Sequence, residues 1–122
     1  MLIDWNKFPE MPTARAGATR RGMSGAKISA VRIKLPADAP FNLRHHSHDN
    51  EQLLVIVKGE LHFRVDDNRF TARDGDMVFI PAGAVHGATG VGPQGCDYYE
   101  IFAPARTDTL PGWIGPSVMN YE

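Results

Sequence analysis

The residues best suited to chemistry in this chain are histidines, and four of the five, His45, His46, His48 and His86, fall where they could act together. An imidazole can hold a transition metal or move a proton near neutral pH. In an extended chain, residues two apart point to one face. His46 and His48 therefore share a face, and His45 points away. The same parity runs on through Gln52, Leu54 and Ile56. One face thus passes from two imidazoles and an amide to apolar side chains, the pattern of a polar pocket mouth above a packed barrel interior. The competing reading makes RHHSHDNEQ a polar surface loop with solvated histidines. His86 favours the pocket, because the strand and turn from Gly75 to Val85 could carry it to the same mouth.

A second group follows at Tyr98 to Arg106. Glu100 and Phe102 share a face. If that face is interior, burial favours the neutral carboxyl and Arg106 favours the ionised one. Either state makes Glu100 a candidate general acid or base. The alternative turns Glu100 to solvent and uses Arg106 to cap a loop.

The elements that must position these groups read as short strands. Val31, Ile33 and Leu35 alternate with Arg32 and Lys34, and Pro36 and Pro40 stop that strand. Leu53 to Val57 is short, apolar and β-branched, a strand covered on both faces. Lys58-Gly59-Glu60 reads as a turn, Leu61, Phe63 and Val65 as a strand, and Asp66-Asp67-Asn68 as a hairpin tip. Asp74-Gly75 turns the chain again before the apolar strand Met77 to Ile80. Gly87 to Gly95 reads as a glycine-rich loop before a last strand, Tyr98 to Phe102. No helical stripe appears, and twelve glycines and nine prolines suit tight turns between strands. The expected fold is all-β, an antiparallel barrel or two-sheet jelly roll.

With 122 residues, 43% hydrophobic and 22% charged, the chain has the size and composition of one globular domain. Residues 1–26 read as an irregular arm packing its aromatics on the body, 27–106 as the barrel and 107–122 as an extended tail. Thirteen Lys and Arg against fourteen Asp and Glu give a net charge of −1, so no basic face is implied and nucleic acid is not an expected partner. No apolar run reaches the ~20 residues that span a bilayer, so no membrane partner is expected. A single cysteine, Cys96, and an N-terminus without a cleavage pattern predict a cytoplasmic protein. Leu53, Val55 and Val57 lie opposite the pocket face yet are apolar. A second copy in a homodimer would cover them, or the arms with Trp5, Phe8 and Trp113 would do so within one chain.

The two histidine segments resemble the motifs of the cupin superfamily. The first motif is carried by His46-Ser47-His48, Gln52 and Gly59, the second by Gly75, Pro81-Ala82-Gly83 and His86, with every spacing kept. Pro40 and Gly90 depart from the usual Gly and Asn at the motif ends, and Gln52 replaces the usual Glu. The resemblance implies a double-stranded β-helix holding one divalent transition metal ion, such as Zn, Ni, Fe or Mn, on His46, His48, Gln52 and His86, while His45 and His62 stay outside the site. An inward bulge bringing Glu51 to the metal is the alternative to Gln52. A neutral Gln leaves the ion closer to its full charge than Glu would. That tilts the site toward Lewis-acid chemistry and away from oxygen activation.

Among small cupins with this ligand set, the chain is similar to those that linearise unsaturated monouronates from pectin and alginate breakdown. Glu100, Phe102 and Arg106 match their acid, Phe and Arg, with Glu100 one methylene longer than the usual Asp. That resemblance implies an isomerase or lyase acting on a small acidic substrate. Glu100 would shuttle a proton, Phe102 would bind substrate, and Arg106 would pair with the sugar carboxylate. Cupins also include iron-dependent oxygenases, polyketide cyclases and non-enzymatic binding modules.

Overall fold

The period-two alternation at Val31, Ile33 and Leu35 forms a strand in the computed structural model, which describes residues 1–122. It is the third of nine: β1 (Met11–Pro12), β2 (Thr19–Ser24), β3 (Ser29–Leu35), β4 (His46–Ser47), β5 (Glu51–Val65), β6 (Asn68–Arg73), β7 (Met77–Ile80), β8 (His86–Ala103) and β9 (Asn120–Tyr121). Every pairing is antiparallel, and the only helical segment is a 3-10 turn at Trp5–Lys7. The architecture is the expected all-β jelly roll.

Two long strands join its halves. The first part of β5 pairs with β7 and with the end of β8, whereas its second part pairs with β6 and the start of β8. Two expectations are corrected here. Lys58-Gly59-Glu60 is not a turn, and Gly87 to Gly95 is not a loop, because both lie inside these strands. Register shifts between Ile56 and Lys58 and between Gly59 and Leu61 bend β5 without ending it. Gly59 makes the bend possible: its φ is +100°, and a Cβ there would lie 2.1 Å from the Gly95 carbonyl oxygen. The glycines of β8 make room for side chains lying across it, as Gly87 does for the His45 ring.

Directly paired residues share a face. Gln52 lies between Ile80 and Phe102, and Leu54 between Val78 and Glu100. The Glu100 row continues through Val31 to Gly22, and the Tyr98 row through Ile33 to Arg20. This is the inner face. Leu54, Ile56, Leu61, Phe63 and Ile80 are buried there as the core.

The irregular reading of residues 1–26 is also corrected in part. Thr19–Ser24 pairs along β3 as β2. Its inward positions carry Arg20, Gly22 and Ser24 rather than apolar residues, which hides the strand from hydrophobic periodicity. Trp5 packs on the Tyr99 ring with centroids 5.9 Å apart, so the arm does lay an aromatic on the body. In the tail, Asn120 and Tyr121 of β9 pair with Ser47 and His46 of β4.

Candidate metal centre

Local hydrogen bonds hold each histidine-bearing segment. His46 on β4 pairs directly with His86 at the start of β8. The Gly83 N–H donates to the His48 carbonyl at 2.8 Å, tying the Pro81-Ala82-Gly83 turn to the first histidine segment. At the β5–β6 hairpin tip, the Asp66 N–H donates to the Val85 carbonyl at 2.7 Å. The Asp66 carboxylate accepts from the Val85 N–H at 3.1 Å, so the residue before His86 is gripped from both sides.

These contacts bring His46, His48 and His86 together, with one ring nitrogen of each within 4.8 Å of the others. Ring centroids lie 4.6 Å apart for His46 and His86 and 4.9 Å for His48 and His86. Two of the rings have assigned orientations. His48 Nδ1–H donates to the Asn50 carbonyl at 3.1 Å, and His86 Nδ1–H donates to the Ala84 carbonyl at 2.9 Å. Each bond leaves the Nε2 lone pair free, the arrangement that a carbonyl bonded to the other ring nitrogen imposes on metal-binding histidines. His86 Nε2 is buried and has no hydrogen-bond partner. His48 Nε2 faces Gln52 Oε1 at 3.0 Å. With Nδ1 carrying the proton, both facing atoms are lone-pair donors. Their spacing is about that of two ligands each ~2.1 Å from one ion and at a right angle. The three imidazoles are therefore positioned to bind a metal, and the residues fit the ion.

Electrostatics agree. Burial, reinforced by the neighbouring histidines and Arg106, pushes His46 down to about 3. Burial also pushes His86 down to about 4, against the pull of its bond to Ala84. His48 is lowered as well, chiefly by burial. All three rings are neutral near pH 7, the form that binds a cation.

The remaining sequence candidates separate. His45 accepts from Arg64 Nη1 at 2.9 Å, and His62 pairs with Thr71 Oγ1 at 2.8 Å. Glu51 is exposed, while Gln52 on the inner face is buried. Glu100 lies on the inner face and lines the same cavity, of about 160 Å³, as His46, Gln52 and His86. Burial raises its carboxyl above the usual carboxylate range, against the pull of Arg106 and Arg20. Phe102 does not line that cavity. It is fully buried behind the imidazole layer, with its ring 5.7 Å from that of His48 and the Arg106 guanidinium over its face at 5.2 Å. Arg106 does line the cavity, but its Nε donates to Asp108 Oδ1 at 2.8 Å and one Nη to Oδ2 at 3.3 Å. Sequence reading missed Arg15, Arg20 and Tyr98, which also line this cavity. The segments of Arg15 and Arg20 carried no spacing motif, the polar inward residues of β2 gave no apolar stripe, and Tyr98 read only as the start of the last strand.

An antiparallel jelly roll with three converging histidines at one end of its inner face defines a β-barrel with a candidate metal site. The family profile described as Cupin domain matches residues 31–102, which span both histidine segments, and the chain belongs to that family. An RmlC-like cupin from Shewanella frigidimarina is similar in structure at 27% identity and a TM-score of 0.70, over 86% of this chain and 91% of that one. KdgF from a Halomonas species shares the fold at 20% identity and a TM-score of 0.73, over 86% and 94%. The polyketide cyclase RemF from Streptomyces resistomycificus does so at 13% identity and 0.73, over 96% and 88%. No curated protein matches the sequence.

Proposed function

We propose that this cupin is a metal-dependent Lewis-acid isomerase or lyase acting on a small oxygen-rich acid, in the sharpest form an unsaturated monouronate. His46, His48, Gln52 and His86 would hold one divalent transition metal ion. Bound there, the ion supplies polarisation of substrate oxygens without a redox step. The observation that carries the reading is Glu100, a carboxyl of raised pKa on the wall shared with the imidazoles. Such a group can return a proton to carbon from its neutral form, and in its ionised form take one from a substrate hydroxyl, as the ring opens and the enol becomes a ketone. Atoms balance within the substrate, so the isomerisation needs no oxidant. Phe102 acts from behind, backing His48 and Arg106. Arg106, held by the buried Asp108, fixes a positive charge near Glu100. The neutral Gln52 favours this reading.

A second copy of the chain completes the assembly in this proposal. Met77 and Phe79 on the outward face of the edge strand β7 are 62% and 56% exposed, beside Leu53 and Val55. The arm covers only the Tyr99 end of that face, and Trp113 is itself exposed. No helix is long and apolar enough to cross a membrane. Burial pushes the lone Cys96 thiol up to about 12, which leaves it inert.

The test is turnover of unsaturated monouronates by Zn-loaded protein under strict exclusion of oxygen. Activity should persist there, and Glu100→Gln should lower kcat by about 10²–10⁴ with metal retained. Oxygen consumption without anaerobic turnover would replace this reading with an oxygenase. Absence of turnover, with ligands raising the melting temperature, would replace it with a binding module.

A further inference from the structure

We infer that Arg20, on β2, is the guanidinium that receives the substrate carboxylate in this cavity, and that Arg106 is not free to do so. The inference rests on the reading of the site as one for a small organic acid.

Three arginines line the cavity, and they differ in what they already hold. The Arg106 fork is engaged by Asp108 through two contacts, with both side chains almost wholly buried. Arg15 donates to the Pro40 carbonyl and lies over the Phe41 ring at 4.2 Å. Arg20 stands apart, because its Nε is buried and has no hydrogen-bond partner. A buried N–H without an acceptor is uncommon in folded proteins and costly to keep.

The backbone explains where that guanidinium points. Arg20 pairs with Ile33, and Ile33 with Tyr98, a row adjacent to the one carrying Gly22, Val31 and Glu100. Arg20 thus faces inward beside Glu100, on the cavity that the imidazoles close. Glu100 acts on Arg20 through space, yet no hydrogen bond joins them, and burial favours the neutral form of that carboxyl. The cavity therefore keeps two guanidiniums, Arg15 and Arg20, without an anionic partner, and of these only the Arg20 fork makes no hydrogen bond. A carboxylate matches that fork, with two parallel N–H···O bonds. A ligand anchored there would lie in the cavity that Glu100, His46 and His86 also line.

Binding calorimetry on Zn-loaded protein tests this with galacturonate and its methyl ester, which differ in the anionic group and need not react. Wild-type protein should bind the acid about ten- to hundredfold more tightly than the ester. Arg20→Gln should erase that preference and leave ester binding and metal content as in wild type. Arg20→Lys keeps the charge and loses the fork, and should weaken the preference at least about threefold. Arg106→Lys should retain the preference. A wild-type protein without the preference overturns the assignment, as does a preference unchanged in Arg20→Gln or, should that variant not fold, in Arg20→Lys. Failure of anaerobic turnover would remove the isomerase reading while these affinities still decide the role of Arg20.

Discussion

An imidazole binds a cation only when one ring nitrogen is unprotonated and turned toward it, and two backbone carbonyls arrange this at His48 and His86. His48→Ala and His86→Ala should each lose stoichiometric metal in elemental analysis, while His45→Ala and His62→Ala keep it. Stoichiometric metal in both of the first two variants would remove the proposed centre. The same burial makes the metal-free protein sensitive to acid. Unfolded histidine titrates near 6.5, whereas folded His46 and His86 titrate at about 3 and about 4. Between those values the unfolded chain binds more protons, so stability falls as pH falls. The stabilisation is full above about 6.5 and is lost progressively toward pH 4 and 3. Melting temperatures of chelator-treated protein across pH 4–7 should show this decline, and a flat profile would contradict it.

Among the elements, β5 and β8 carry the site because each bends between the two halves of the barrel and places inward side chains from both. Gly59 sets the bend, with a positive φ and no room for a Cβ against the Gly95 carbonyl. Gly59→Ala therefore combines backbone strain with overpacking and should cost about 2–4 kcal/mol. Thermal unfolding should show a drop of several degrees or more, since ~1 kcal/mol moves a domain of this size by a few degrees. An unchanged melting temperature would mean that β5 does not need the close approach.

For the whole molecule, the outer face of β7 and β5 leaves Met77 and Phe79 in solvent, while the arm covers the far side at Tyr99. A homodimer through this face is the proposed cover. Light scattering at micromolar concentration should give twice the chain mass, and the double substitution Met77→Glu with Phe79→Glu should give a monomer with its metal retained. A monomeric wild type would leave that face without the proposed partner.

The sequence by itself determined the all-β class, most strand cores and the histidine pattern. Strand periodicity is local, and the two histidine segments keep fixed spacings whether or not they touch. It could not determine the length of β5 and β8, because glycine signals a turn, a bulge or a close approach equally. Only the paired strand and the Gly95 carbonyl decide which it is at Gly59. Tertiary structure also decided which guanidiniums are occupied. Arg106 stands at a familiar interval from Glu100, yet Asp108, two residues on, takes its fork. Arg20 lies in a polar run without a motif, and its position on the cavity follows from antiparallel register across β2, β3 and β8. Periodicity reports burial of apolar side chains; a charged group held inside a barrel is placed by long-range pairing.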